Sequence, residues 1–251
     1  MPFDLEYVRQ NWPHPVSYFA TIDSTMLEAS RLAIAGCEQG TVVIADEQTA
    51  GQGRHGRRWH SEPNAGLYVS IVLRPSLLAG SLPVLTLALG LAAADAVAEA
   101  TGIACDLRWP NDVMAENKKV AGILVQLVDS AAIAGIGVNV NHAKFPPEIA
   151  AEASSIQMIS GRAQSREQLL VGLLIAIDRF CGVLEGQGGR AAILRMFSER
   201  SSYARNKRVR VEQGASTLEG TTAGLDPSGF LIIRQDDGKE QLVLAGGVRP
   251  C

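Results

Sequence analysis

The chain has 251 residues, of which 47% are hydrophobic and 20% charged, and its formal net charge is −3. That share of apolar residues suffices for a full core, and the length suits one domain with a small companion. The acidic balance excludes broad affinity for nucleic-acid backbones, and the most apolar run, Leu82 to Ala100, carries Pro83, Asp95 and Glu99 and so reads as a core helix rather than a membrane span.

The N-terminus lacks the basic-then-apolar pattern of a signal peptide. Residues 16–22 alternate as a first strand and end in Asp23-Ser24-Thr25. Ser24 or Thr25 is suited to cap a helix over 26–35, with Gly36 as its stop. The same hydroxyls would sit at a helix end that favours anions. A second strand is expected over 41–45 and a third over 66–73, with a glycine- and arginine-rich loop between them.

That loop, Gln48-Thr-Ala-Gly51-Gln-Gly53-Arg54-His-Gly56-Arg57-Arg58-Trp59, dominates the first half. Its glycines allow positive φ and close approach of a ligand. Its arginines are planar forks for carboxylate or phosphate oxygens, and an indole follows that can cover a flat ring. The glycines also fit the dinucleotide fingerprint Gly-x-Gly-x-x-Gly, but that motif needs a helix to open at its glycines. Here Pro63 and Gly66 intervene and a strand follows, so the match is coincidental.

A packing helix with Ser81 before it and Pro83 in its first turn is expected to end near Gly102. Next comes Arg108-Trp109-Pro110-Asn111-Asp112, where Pro110 interrupts ladder bonding and Asn111 and Asp112 present an amide and a carboxylate. After a turn at Glu116-Asn117, Lys119 opens an apolar strand over 119–126. Taken singly, these are a turn and a hairpin end; with the upstream cationic loop they form a divided anion site. Another strand, 132–138, carries Gly135 and Gly137, whose place in a strand implies close approach by a ligand or another backbone. Asn139 either reads a heterocycle edge or simply ends that strand.

Ser165 to Gln168 spells a capping box for a helix to about Leu184, and a further helix is expected over 190–200. Beyond Tyr203 the texture changes to short strands (207–211, 217–223, 229–233 and 241–244) between turns at Gln213-Gly214, Asp226 to Gly229 and Asp236 to Gly238. The division expected is therefore 1–203 and 204–251. Arg205, Lys207, Arg208 and Arg210 alternate as a solvated face. The cysteines, Cys37, Cys105, Cys181 and Cys251, are scattered without a CxxC pair, so neither a fixed metal site nor a disulfide framework is expected, and a reducing cytoplasm is.

In this order, Asp23-Ser24-Thr25, the Gln48–Trp59 loop, Trp-Pro-Asn-Asp at 109–112, Lys-Val-Ala-Gly-Ile-Leu at 119–124 and Gly-Ile-Gly-Val-Asn at 135–139 resemble the biotin protein ligases. The resemblance spans nearly the whole chain. It implies a mixed-sheet α/β catalytic domain related to class II aminoacyl-tRNA synthetases, with an SH3-like C-terminal β-barrel. Too little sequence precedes Asp23 for the DNA-binding domain that some members carry, so the catalysis-only type is expected, without nucleic acid or membrane.

The implied reaction joins biotin to ATP as biotinyl-5′-AMP, with Mg²⁺ on the nucleotide, then acylates a lysine of a biotin carboxyl carrier domain. By the same resemblance, Arg54 retains the adenylate, and Arg54, Arg57 and Lys119 neutralise the reacting anions. Ser24, Thr25, Gln48, Gly51, Gly122 and Leu124 belong to the biotin site. Trp59, Asn111 and Asn139 belong to the nucleotide side, and Asp112 orients, or deprotonates, the incoming amine. Gln52, Arg108 and Gln126 depart from frequent family residues. Members are often homodimers, and no stretch here marks the interface. A lipoate or octanoate transferase of the same fold, or a non-enzymatic biotin-binding regulator, are the competing readings.

Overall fold

The structure, a computed structural model, describes residues 3–75, 81–213 and 216–251; Gly214 of the turn expected at Gln213-Gly214 lies outside them. An unforeseen helix, α1 (Leu5–Asn11), is capped by Asp4, whose carboxylate accepts from the Tyr7 amide. Then follow β1 (Val16–Ile22), α2 (Thr25–Ile34), β2 (Val42–Gln48) and β3 (Gly66–Leu73). Strands β1 and β2 run parallel, as their α2 crossover requires, and the remaining pairs are antiparallel. The sheet is completed by β4 (Asp106–Arg108), β5 (Asp112–Ala115), β6 (Lys118–Val128) and β7 (Ala131–Asn139), in the order β1-β2-β3-β7-β6-β5-β4. Glu116 and Asn117, both at positive φ, make the tight β5–β6 turn.

Several expected boundaries move, two of them at the residues that shape the site. Strand β2 continues to Gln48 because Asp46, polar in sequence, is satisfied inside by Arg166 at 2.6 Å and by the Tyr18 hydroxyl at 2.5 Å. Helix α2 starts at Thr25, and Ser24 stands at its cap position without a side-chain cap bond.

Helix α3 (Leu82–Thr101) is long and apolar enough to cross a membrane, but Val84 to Val97 are almost wholly buried. Past the short helices α4 (Pro147–Ala150) and α5 (Ile156–Ser160), the chain forms α6 (Arg166–Glu185) and α7 (Gly189–Glu199), and α3 packs on these two and on β6. Its Asp95 is paired with Arg179 at 2.5 Å and with Arg200. Ser81 does not cap it with its hydroxyl, which accepts from Arg190 instead. At α6 the capping serine is as expected, with Ser165 Oγ accepting from the Gln168 amide; the neighbouring Glu167 takes the Ser165 hydroxyl and the Asp4 amide. Helix α2 lies against β2, β3 and β7, around a smaller core of Met26, Ala29, Val43, Val72 and Ile133.

The C-terminal strands, β8 (Arg205–Gln213), β9 (Ser216–Leu225), β10 (Leu231–Arg234), β11 (Glu240–Val243) and β12 (Gly247–Pro250), form one antiparallel sheet, β11-β10-β9-β8-β12. Strand β12 was not expected: four residues ending in proline make a weak signal, tolerated only at an edge. This sheet is joined to the large one through Trp109, whose indole N–H donates to the Gly229 carbonyl at 2.9 Å. Arg205, Arg208 and Arg210 are exposed, as an alternating solvated face should be, and Arg208 pairs with Asp236.

Candidate active site

One end of the large sheet gathers the C-terminal ends of β2 and β7 and the N-terminal ends of β3 and β6, because Gly66 pairs with Asn139 and Ala121 with Val138; the short β5 runs antiparallel beside the start of β6 and sets Asp112 level with Gly122. The 49–65 segment must span from β2 to β3 across that end. Two adjoining cavities open there. One, of about 460 Å³, is lined by Thr25, Gln48, Gln52, Gly122 and Leu124, among others. The other, of about 950 Å³ and open to solvent, is lined by Arg57, Arg58, Asp112, Asn139, Gly246 and Arg249, among others. Arg54, Trp59, Asn111 and Lys119 border both.

At the first cavity, Gln48 does what Ser24 and Thr25 were expected to do. Its Oε1 accepts from the Thr25 amide at 2.9 Å and from the Thr25 hydroxyl at 3.1 Å, closing the start of α2. Thr25 Oγ1 also meets Ser70 Oγ at 2.8 Å. Ser24 is fully buried, its Oγ without a hydrogen-bond partner among the described residues. Gly51 is set by close packing: a Cβ there would stand 3.0 Å from the Trp59 carbonyl.

The close approach implied by Gly135 and Gly137 is made by side chains of the same chain, not by a ligand or another backbone: a Cβ at Gly135 would lie 2.5 Å from Met26 Sδ, and one at Gly137 would meet the Trp59 ring, which also closes on Gly122 of β6. A Cβ at Gly122 would lie 2.8 Å from the Trp59 ring. Trp59 is half-buried, with its Nε1 enclosed and unpartnered among the described residues, and Lys119 Nζ stands 5.3 Å from the ring centroid.

Charge is concentrated at the junction. Asp112 Oδ1 lies 2.5 Å from Lys119 Nζ and its Oδ2 lies 2.7 Å from Arg108. Burial raises the Asp112 pKa, but Lys119 and then Arg108 outweigh it, and the net shift is downward. The carboxylate is therefore ionised and doubly paired, a poor acceptor for a lysine proton. Arg54 donates to Asn111 Oδ1 at 3.2 Å and to the Gly246 carbonyl at 3.4 Å, so the C-terminal sheet reaches the site. Asn111 in turn donates to the Ile123 carbonyl at 2.9 Å. Arg57 is exposed, 3.8 Å from Glu212. Asn139 spends its amide hydrogens on the Lys119 and Ser154 carbonyls, at 3.3 and 3.1 Å, which leaves only its oxygen for a heterocycle.

Of the departing residues, Gln52 lines the first cavity, Arg108 is paired with Asp112, and Gln126 is exposed away from the cavities; Arg58, beside the loop, donates to the Thr49 carbonyl at 2.8 Å. Sequence reasoning missed Ser70, Gly246, Gly247 and Arg249. Ser70 is the one serine in an otherwise apolar and aromatic strand, which is a usable signal. Nothing local marks the others, because docking of the second sheet brings them in.

A family model described as "Biotin/lipoate A/B protein ligase family" matches residues 18–142, and another described as "Biotin protein ligase C terminal domain" matches 206–248. The chain is 34% identical to a biotin–[acetyl-CoA-carboxylase] ligase of Paracoccus denitrificans, over 90% of this chain and 97% of that protein. It is 32% identical to the bifunctional ligase/repressor BirA of Bacillus subtilis, over 91% and 72% respectively. Among solved structures, the biotin protein ligase of Aquifex aeolicus in complex with biotin and ATP superposes with a TM-score of 0.84 at 30% identity, covering 94% of this chain and 99% of that one.

Proposed function

The chain belongs to the biotin protein ligase family, and from that premise we propose that it joins biotin to a carrier protein in two steps. In the first, a biotin carboxylate oxygen attacks the α-phosphorus of ATP, giving biotinyl-5′-AMP as pyrophosphate leaves. In the second, the amine of one lysine on a biotin carboxyl carrier domain attacks the acyl carbon, giving an amide as AMP leaves. Two anions must meet in the first step, and the observation that carries this reading is that Arg54 and Lys119, from distant segments, border the same pair of cavities.

In this reading biotin takes the cavity walled by Thr25, Gln48, Gly122 and Leu124, with Ser24 and Gly51 shaping its wall. The nucleotide takes the larger cavity beside Trp59, Asn111 and Asn139, with Arg57 at its mouth. Mg²⁺ arrives as part of the MgATP substrate, since Asp112, the carboxylate between Lys119 and Arg108, is already doubly paired. Asp112 orients the incoming amine by its charge and does not take its proton. The segment from Gly51 to Arg57 covers the adenylate and keeps water from the mixed anhydride. We assign residues 1–203 to catalysis and 204–251 to a second domain that completes the site, and place the protein in the cytoplasm with its carrier.

The test is incubation with labelled biotin, MgATP and a purified carrier domain, followed by mass measurement of the carrier. Addition of one biotin to one lysine supports the reading, as does pyrophosphate release on adding biotin and MgATP without the carrier. Preferential use of lipoate, or binding without pyrophosphate release, would overturn it.

A further inference from the structure

Beside the larger cavity, outside the residues given a role above, three potential ligands meet: His60, Glu62 and His142. One donor atom from each lies within 4.8 Å of the other two. His60 directly follows Trp59, and His142 lies just past β7, fully buried, stacked on Phe145 at 4.9 Å.

The hydrogen bonds determine which nitrogen of His142 is bare. The Tyr68 hydroxyl has one proton, and it faces the Glu62 carbonyl at 3.0 Å. The same oxygen stands 3.2 Å from His142 Nε2, so it accepts there, and Nε2 carries the imidazole proton. His142 Nδ1 is then left with a free lone pair, enclosed by protein and without a hydrogen-bond partner among the described residues. Enclosing such an acceptor costs free energy unless something occupies it. His60 Nε2 is enclosed and unpartnered in the same way, 3.9 Å from Glu62 Oε2.

A buried imidazole whose far nitrogen donates to an oxygen fixed by a second hydrogen bond is the arrangement that orients histidine toward a metal. We propose that His60, Glu62 and His142 bind one zinc-like divalent transition metal, with Tyr68 holding His142 in the ligating tautomer. Two imidazoles and one carboxylate suit zinc and leave a fourth position for water. Zinc bonds of about 2.0–2.1 Å require the donors to draw in by about an ångström, which half-buried His60 and Glu62 permit. The ion would pin the chain after Trp59 to the chain after β7, bracing one wall of the larger cavity. This departs from the expectation of no fixed metal site, which weighed only the cysteines.

The experiment is calorimetric titration of the chelator-stripped full chain with zinc, with Co²⁺ absorption as a second readout. Neither biotin nor ATP is needed, so failure here leaves the ligase reading standing. Expected are one zinc per chain, a raised Tm, and a Co²⁺ spectrum of low coordination number. Partly exposed ligands are substituted first: His60→Ala and Glu62→Gln should each weaken zinc binding at least about tenfold, and Tyr68→Phe, acting one bond further out, about 10–100-fold. Absence of zinc binding by the wild-type chain would overturn the proposal. So would binding that is unchanged in His60→Ala and Glu62→Gln, since the zinc would then sit elsewhere.

Discussion

A Cβ at Gly137 would stand 2.3 Å from Cε2 of Trp59, so strand β7 and the indole share space that only a glycine leaves open. Gly137→Ala should therefore displace the indole, not merely tighten the contact. Expected are a red-shifted tryptophan emission, a stability loss of about 1–3 kcal/mol and weaker nucleotide binding. The double variant with Trp59→Ala should recover much of the stability, and denaturant melts of the four proteins check this.

Lys119→Ala removes the cation between the two cavities. Adenylate formation, read as pyrophosphate release, should fall by about 10²–10³-fold, the usual effect of losing a group that stabilises developing charge. An unaltered rate would show that Lys119 serves only Asp112.

Arg54 ties Asn111 to the Gly246 carbonyl, and so links the loop to both sheets. Arg54→Gly should release biotinyl-5′-AMP into solution, where it labels bystander lysines. Rapid filtration of adenylate-loaded protein gives the dissociation rate, which should rise while the protein stays folded.

Asp112 shows a sign in its pH dependence. Burial raises its pKa, but Lys119 and Arg108 outweigh that and depress it. A depressed carboxylate stabilises the fold above its unfolded pKa, and that contribution is lost as the pH falls through its folded pKa. Asp112→Asn should cost about 3 kcal/mol at neutral pH by leaving two cations uncompensated. It should cost much less in acid, where the wild type has lost the same charge. Urea midpoints at several pH values check this.

Gln48→Ala strips the cap from α2 and opens the smaller cavity. A loss of about 1 kcal/mol is expected, together with a raised KM for biotin. Loss of stability without a change in KM would confine Gln48 to the cap.

Most elements were legible because period and punctuation are local: β1 and β3 fall on their expected residues, and α3 ends at Gly102 in the left-handed conformation. Boundaries failed where a distant partner cancels a local cost. Asp46 stays in β2 because Arg166 meets it 120 residues away. Hydroxyls at 24 and 25 read as caps, yet an amide from the far end of β2 closes α2. Gly135 and Gly137 announced a close approach, but not that Met26 and Trp59 make it.

The sequence alone determined the family, most of the longer helices and strands and the identity of the charged groups, since these follow from residue types and short spacings; the short α1, β4, β5 and β12 carried no such signal. Tertiary structure decided which charges are already spent, as at Asp112, which tautomer His142 holds, and that the second sheet reaches Arg54 through Gly246. Those outcomes depend on distances between residues far apart along the chain, which no local pattern encodes.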